Sequence, residues 1–180
     1  MTTCYKALSL LAVLGAGFSA VPTAPASGDT IGLCRTPQLR LNRGAYGEAA
    51  GQFRQTFTLT NVSPSTCRLE GWPSLKVQDE SGRVEDAKIV RVVQGPPGAR
   101  PFGRVVLRHR GAASFDVYGA DWDARANLPC GRTSALSVTP PAGHGQLQLA
   151  VRLPDCGRFF VAPLVVGRSD RDAWSRIWRG

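Results

Sequence analysis

The 180-residue sequence is poor in the residue types and motifs that carry enzyme chemistry. It has two histidines, His109 and His144, and no His-Glu-x-x-His, Gly-x-Ser-x-Gly or phosphate-loop pattern. Acid–base and metal catalysis need a tuned acid, base or set of metal ligands. We therefore expect no catalytic residues, no metal site and no cofactor. A triad of His109, Ser114 and Asp116 is conceivable on paper, but alternation predicts that Ser114 and Asp116 face solvent on a strand.

Cysteine is present, but no Cys-x-x-Cys occurs, so the spacings match neither a zinc site nor a thioredoxin-like site. Four cysteines downstream of the N-terminal segment, in a domain of this size, predict two disulfides in an exported protein. Three connectivities are possible from sequence alone. Sequential pairing is preferred, because each loop then encloses a few strands. The four cysteines are Cys34, Cys67, Cys130 and Cys156.

No apolar run reaches the roughly 20 residues that a membrane-spanning helix needs. The longest, residues 7–21, follows Lys6 and precedes Ala24-Pro-Ala26, a small-residue cleavage pattern. Residues 1–26 are therefore predicted to be a signal peptide, with Ala20 as an alternative end. This predicts a secreted or periplasmic protein with one β-domain over residues 27–167.

Acidic residues are scarce, with 13 Asp and Glu against 22 Lys and Arg, for a formal net charge of +9. Guanidinium groups suit phosphate and carboxylate partners. The densest interior group of arginines is Arg104, Arg108 and Arg110, which we take as candidate binding residues. An anionic envelope polymer, a membrane surface or another envelope protein is the expected partner. The simpler alternative is a solvated basic surface, and the scattered arginines do not support specific nucleic-acid recognition.

No long helical pattern precedes the C-terminal tail. Instead, short alternating segments such as Phe53–Thr60 and Ser114–Tyr118 are separated by Gly- and Pro-rich turns. About eight to ten short strands predict an all-β sandwich. Residues 119–130 are predicted to be a long loop carrying Trp122, a candidate for ligand contact, although packing over the core is the commoner role for such a ring.

The segment around Asn61 is the most specific local pattern. Asn61 ends a predicted strand, where its side chain can bond a nearby backbone amide in an Asx-type turn, and Pro64 completes the reversal. Further motifs of the chain are Cys34, Leu59-Thr-Asn61, Ser63-x-x-x-Cys67-x-Leu69-x-Gly71-x-Pro73, Val138-Thr-Pro-Pro141 and Cys156. In this combination the sequence resembles the DUF4232 family of exported bacterial domains, whose function is not established.

The resemblance covers about residues 34–167 and implies an immunoglobulin-like sandwich with paired disulfides. It brings no catalytic residues. The sequence departs from the family pattern at residues 104–110 and in the tail.

The tail, residues 168–180, is basic and aromatic. Trp174, Ile177 and Trp178 recur at helical spacing, which is typical of a short amphipathic helix at a membrane surface. Trp174 and Trp178 are candidate binding residues for this reason, although docking onto the domain or disorder is the default for so short a segment.

Two functions from different classes follow from these patterns. The first is an exported noncatalytic domain that binds an anionic envelope component or another envelope protein. The alternative is a secreted hydrolase with an unrecognised active site.

Overall fold

Strands make up nearly all the regular structure in a computed structural model of the chain, which describes residues 31–92, 104–141 and 143–167. The exception is a single 3-10 turn, Thr36–Gln38. The strands are β1 (Leu39–Ala49), β2 (Gln52–Asn61), β3 (Cys67–Leu69), β4 (Ser74–Gln78), β5 (Lys88–Arg91), β6 (Val105–Leu107), β7 (Ala112–Ala120), β8 (Trp122–Asp123), β9 (Leu128–Pro129), β10 (Gly131–Arg132), β11 (Ala135–Thr139), β12 (Leu147–Ala150), β13 (Pro154–Asp155), β14 (Arg158–Val161) and β15 (Val165–Val166).

Ten of these strands within the described ranges have three or more residues, which confirms the predicted all-β class and the number of strands. Over the same ranges we find no helix with the length and hydropathy of a membrane span. The C-terminal tail with Trp174 and Trp178 lies outside the described residues.

Two main sheets organise the chain. The larger follows the order β1-β2-β7-β14-β5, with β15 also paired to β7, and the smaller follows β12-β11-β4. Pairing within them is antiparallel except between β5 and β14. Three two-stranded ladders, β3–β6, β8–β9 and β10–β13, and two isolated bridges, Leu33–Arg68 and Gln78–Val84, complete the pairing in the described part of the chain.

The inner faces of both sheets contribute to one buried cluster. Phe57 of β2 stacks on Phe115 of β7 with ring centroids 5.5 Å apart. Val77 and Leu136 come from the smaller sheet and are equally buried. Burial of aromatic and branched side chains from two sheets is the main stabilising term of such a domain, and truncating one such phenylalanine costs about 3 to 5 kcal/mol. The arrangement is compatible with an immunoglobulin-like sandwich.

Both predicted disulfides form, and the sequential pairing is confirmed: Cys34 bonds Cys67 and Cys130 bonds Cys156. Their surroundings differ. Cys34 and Cys67 are 1% and 2% exposed and belong to the core. Cys156 is exposed, beside the short β10–β13 ladder.

The prediction that Ser114 and Asp116 face solvent is wrong. Both lie on the outer face of the larger sheet, as alternation requires, but they are buried. The Asp116 carboxylate forms an ion pair with Arg54 and accepts a hydrogen bond of 2.7 Å from Thr56 Oγ1. Because β7 is a central strand, side chains of the neighbouring strand cover its outer face. Alternation assigns the face of a residue but not its exposure.

The prediction of a long loop over residues 119–130 is also wrong. Strand β7 continues to Ala120, and Trp122 and Asp123 then pair with Pro129 and Leu128 in a small hairpin. The Asp123 carboxylate accepts hydrogen bonds from the amides of Arg125 and Ala126, which closes the turn. Two-residue strands containing proline have no periodicity for sequence reasoning to detect.

Candidate functional site

Four turns meet at one end of the domain, which we call the basic end. They comprise residues 35–38, residues 61–66, residues 108–111, and residues 140–141 with 143–145. The first adjoins the start of β1, the second follows β2, the third joins β6 to β7 and the fourth lies between β11 and β12. Because β1 and β2 pair from Leu39 with Asn61, and β2 and β7 pair from Thr60 with Ala112, register brings three of these turns side by side.

Asn61 organises the second turn. Its side-chain oxygen accepts hydrogen bonds from the Ser63 amide (3.0 Å) and the Ser63 hydroxyl (2.8 Å). Its side-chain nitrogen donates to the carbonyls of Ser65 (2.8 Å) and Leu107 (3.0 Å). The residue is fully buried. This is the Asx-type turn that the sequence predicts, and the bond to Leu107 also fixes it to β6.

The third turn is held by the backbone of the same asparagine. The Asn61 amide donates to the Gly111 carbonyl (2.9 Å), and the Arg110 amide donates to the Asn61 carbonyl (2.8 Å). His109 Nδ1 lies 2.8 Å from the Ser63 carbonyl. Arg110 has φ +63°, and a Cβ at Gly111 would lie 2.9 Å from the Arg108 carbonyl oxygen. Glycine at position 111 is therefore required by this tight reversal.

The first and fourth turns join the same network. The Val62 amide donates to the Gln38 carbonyl (2.8 Å), and Gln38 Nε2 donates to the Ser63 hydroxyl (3.2 Å). Thr36 Oγ1 donates to the His144 carbonyl (2.8 Å). Hydrogen bonds thus run across all four turns, and the buried Cys34–Cys67 bridge joins the start of the first turn to the end of the second. The basic end is a fixed surface rather than a set of independent loops.

The charge of this surface has one sign. Arg35, Arg108 and Arg110 are exposed, as are the imidazoles of His109 and His144. The four turns contain no Asp or Glu. None of the ion pairs among the described residues involves these three arginines, whereas Arg54, Arg68, Arg132 and Arg152 each pair with a carboxylate. The guanidinium groups of the basic end are therefore available to an external anion.

The structure divides the predicted binding residues. Arg108 and Arg110 lie at the basic end. Arg104 lies before β6, about 13 Å from Arg108 along an extended strand, so it does not join them. Trp122 is 43% exposed on the hairpin that follows the other end of β7. The triad conceived from sequence is not assembled among the described residues, because His109 contacts the Ser63 carbonyl while Asp116 is bonded to Thr56 and Arg54.

Sequence reasoning missed Arg35 and His144 as parts of this surface. Both are far from Arg108 in the chain and belong to turns without charge runs. One signal was present: Arg35 follows Cys34, and Cys34 is bonded to Cys67, which follows the Asn61 turn. The preferred disulfide pairing already brought Arg35 next to that turn.

The fold and the surface define an all-β, doubly disulfide-bonded domain with a rigid basic end. The chain belongs to the DUF4232 family, a domain of unknown function whose model matches residues 34–165. No curated protein matches the chain. No solved structure matches it either. The matched range contains both disulfides and all four turns of the basic end, so this surface lies within the family domain.

Proposed function

We propose that the chain is an exported, noncatalytic binding domain whose basic end binds an anionic polymer of the cell envelope. The observation that carries the proposal is the set of three exposed arginines, Arg35, Arg108 and Arg110, held on hydrogen-bonded turns that contain no acidic residue. Unpaired guanidinium groups on a rigid scaffold lose little conformational freedom when an oxyanion binds.

A polymer fits this surface better than a small ligand. The three arginines belong to two different turns and lie on an open end of the domain. Each exposed charge contact is weak and screened by salt, so useful affinity requires several contacts made together along a repeating anion. A chain of phosphodiester or carboxylate groups supplies such repetition.

The rest of the molecule is consistent with this role. Two disulfides are typical of proteins in an oxidising compartment, which supports export. No group of three or more potential metal ligands occurs in the described ranges. Both histidines lie on exposed turns of the basic end. We therefore assign them to the anion-binding surface and not to catalysis.

The test measures binding of the oxidised, exported protein to immobilised poly(glycerol phosphate) and to polyglutamate over a salt series, with dextran as a neutral control. The variant is Arg108→Gln/Arg110→Asn, because asparagine tolerates the positive φ at position 110. The matched control, Arg91→Gln/Arg125→Gln, removes the same charge from exposed arginines outside the four turns.

We expect saturable binding to at least one polymer, a loss of about tenfold or more in the Arg108/Arg110 variant, and a salt dependence whose slope falls by about one to two for that variant. The control variant should bind within about twofold of the wild type. Equal losses in both variants would mean that only net charge matters. Absence of polymer binding at low salt would contradict the proposal.

A further inference from the structure

A second cluster of arginines lies further along β1, where the alternation of the strand predicts an apolar residue. Along β1, the register with β2 puts Leu39, Leu41 and Arg43 on the inner face of the larger sheet, since Leu41 pairs with Leu59 and Arg43 pairs with Phe57. Leu39 and Leu41 are buried in the core, but Arg43 at the next inward position is exposed. A charged side chain at a core-facing position breaks the pattern of the strand, which is typical of a functional site.

The two inward positions that follow are also polar. Tyr46 pairs with Gln55 and Glu48 pairs with Phe53, so both side chains share the inner face with Arg43. The register shifts between Arg43 and Tyr46, which marks a β-bulge over Gly44 and Ala45. Because a bulge adds a residue to one strand, it keeps Arg43, Tyr46 and Glu48 on one face although their spacing is irregular.

Gln55 fixes the bulge. Its Nε2 lies within hydrogen-bonding distance of the carbonyls of Gly44 (3.1 Å) and Ala45 (3.0 Å), and Gln55 is 2% exposed. A Cβ at Gly44 would lie 3.3 Å from the Thr56 carbonyl oxygen, so a larger residue would push the bulge outward. The buried amide and the glycine together hold this part of β1 in one shape.

The rest of the lining comes from other elements. Arg132 of β10, together with Val151 and Arg152 after β12, lines a cavity of about 390 Å³ beside the bulge. That volume lies in the range of small-molecule sites. We call this cavity the arginine cleft. It is lined by Arg43, Gly44, Tyr46, Glu48, Gln55, Arg132, Val151 and Arg152.

The cleft already contains a carboxylate. Glu48 accepts a hydrogen bond from the Tyr46 hydroxyl and lies 3.7 Å from Arg132 Nη1. Burial and the bond to Glu48 raise the pKa of Tyr46 to about 12, so its hydroxyl stays a donor at neutral pH. Arg152 is paired with Glu80 at the rim, while Arg43 takes part in none of the ion pairs of the described residues. Tyr46 and Arg132 therefore both interact with the Glu48 carboxylate, whereas Arg43 is a cation without a carboxylate partner among the described residues.

We propose that the arginine cleft binds a small organic oxyanion, a carboxylate or a phosphate monoester, which bridges Arg43 and Arg132 and displaces Glu48 from Arg132. The displaced Glu48 carboxylate then accepts a hydrogen bond from a hydroxyl or amine of the same ligand. This favours hydroxy acids, amino acids and sugar phosphates over simple anions of the same charge. The site is independent of the basic end and shares no residue with it.

The lining of the cleft explains why a small ligand is preferred. Arg43 and Arg132 come from different sheets but line the same cavity, so one ligand of matching size can contact both. Each guanidinium group can make a bidentate contact with an oxyanion. Glu48 selects against anions that bind weakly, because a ligand that takes its place must supply both the negative charge beside Arg132 and the acceptor for the Tyr46 hydroxyl.

Isothermal titration of the oxidised, exported protein tests the proposal with four probes: tartrate, glutamate, glycerol 3-phosphate and inorganic phosphate. The variant is Arg43→Gln. Its matched control is Arg40→Gln, because Arg40 is exposed on the same strand but pairs with Thr60 on the outer face. A third variant, Glu48→Gln, removes the internal carboxylate.

We expect saturable binding of tartrate, glutamate or glycerol 3-phosphate with a dissociation constant in the millimolar range or below. Comparing the affinities of the two carboxylates with that of the phosphate ester identifies the preferred oxyanion. Arg43→Gln should weaken it at least tenfold, and Arg40→Gln should change it less than twofold. Glu48→Gln should strengthen binding of inorganic phosphate several-fold. The difference in affinity between inorganic phosphate and ligands that carry a hydroxyl or amine donor should therefore become smaller.

Equal effects of the Arg40 and Arg43 variants, or no saturable binding of any probe, would overturn the proposal. Binding that Glu48→Gln leaves unchanged would overturn the displacement of Glu48. The Arg108→Gln/Arg110→Asn variant should bind these probes like the wild type. An experiment that contradicts small-ligand binding in the cleft can therefore be distinguished from one that contradicts polymer binding at the basic end.

Discussion

The basic end and the arginine cleft use the same side chain in opposite ways. At the basic end the arginines have no carboxylate partner, and they lie on two of the four hydrogen-bonded turns, beside a buried disulfide. In the cleft, Arg132 and Arg152 are each paired with a glutamate, and Arg132 lies on a two-residue strand beside the second disulfide, of which Cys156 is exposed. Uncompensated charge on a fixed open surface suits many weak contacts with a polymer. Compensated charge in a cavity suits selection of a small ligand.

The difference extends to how each arginine is positioned. Gly131 pairs with Asp155 and Arg132 pairs with Pro154, and the bonded cysteines Cys130 and Cys156 occupy the next pair in the same register. Two backbone pairs are too few to form a stable ladder alone. The covalent bond therefore supplies much of what holds Arg132 against the cleft, whereas the basic end has its hydrogen bonds as well.

Removal of the buried bridge should give the largest effect. We expect Cys34→Ala/Cys67→Ala to lower the free energy of unfolding by about 4 to 5 kcal/mol, through loss of loop closure and of packing in the core. Cys130→Ser/Cys156→Ser should cost only about 2 to 3 kcal/mol, because its environment is already polar and partly open to water. Urea unfolding followed by tryptophan fluorescence measures both.

The same pair of variants also separates the two sites. Cys130→Ser/Cys156→Ser should weaken oxyanion binding in the cleft several-fold and leave polymer binding unchanged, as measured by titration of the folded protein. Equal stability losses for the two cysteine pairs, or undiminished cleft binding without the exposed bridge, would show that the two ends are held in the same way.

Asn61→Ala tests the hydrogen bonds of the basic end. It should lower the free energy of unfolding by about 2 to 4 kcal/mol, because the variant leaves the Leu107 and Ser65 carbonyls and the Ser63 amide without their partner. Polymer binding should fall because loss of the side-chain bond to the Leu107 carbonyl loosens the turn that begins at Arg108, although the backbone bonds of residue 61 to that turn remain. Thermal unfolding measures the loss of stability, and the polymer assay measures the loss of binding.

Gln55→Ala is the matched change at the cleft, where it removes the donor to the bulge carbonyls. It should spare polymer binding and weaken binding of the small oxyanions. If Asn61→Ala weakened binding of small oxyanions in the cleft as much as polymer binding at the basic end, the two sites would not be positioned independently of each other.

The smallest expected effect concerns pH. The neighbouring carboxyl group of Asp155, next to Cys156, and burial raise the pKa of Glu85 from 4.5 to about 7. Because the folded state binds this proton more tightly, the resulting stabilisation is present below about pH 4.5 and is lost as the pH rises through 7.

Glu85→Gln removes this dependence. Its melting temperature relative to the wild type should therefore rise between pH 5 and pH 8, whereas the neighbouring exposed change Asp86→Asn should give no such trend. A difference between Glu85→Gln and wild type that stays constant with pH would contradict the assignment of the raised pKa to Glu85.

Much of the fold was accessible from sequence, because it depends on local patterns. Alternation found β2 and most of the other longer strands, and the Asn61 turn followed from the chemistry of its side chain. The two-residue strands β8 and β10 were not accessible, since they form only where the rest of the fold brings their partners together.

The sites were harder to predict for a similar reason. Arg108 and Arg110 stand out in the sequence, but Arg35 joins them only through turn packing and a disulfide. For the cleft one signal existed: the alternation Leu39, Leu41 continues to Arg43 on the same face. Arg132 and Arg152 leave no trace in the sequence, because only sheet packing brings them to the same cavity as Arg43.

The sequential disulfide pairing has a consequence for how the protein is made. The bridges span separations of 33 and 26 residues and do not overlap in the chain. In the export that we propose, a chain that crosses a membrane from its N-terminus presents Cys34 and Cys67 to an oxidase before Cys130 has emerged. Apart from Cys4 in the predicted signal peptide, the first partner available to each cysteine is then the native one. This order of emergence favours the native connectivity over the two alternative pairings.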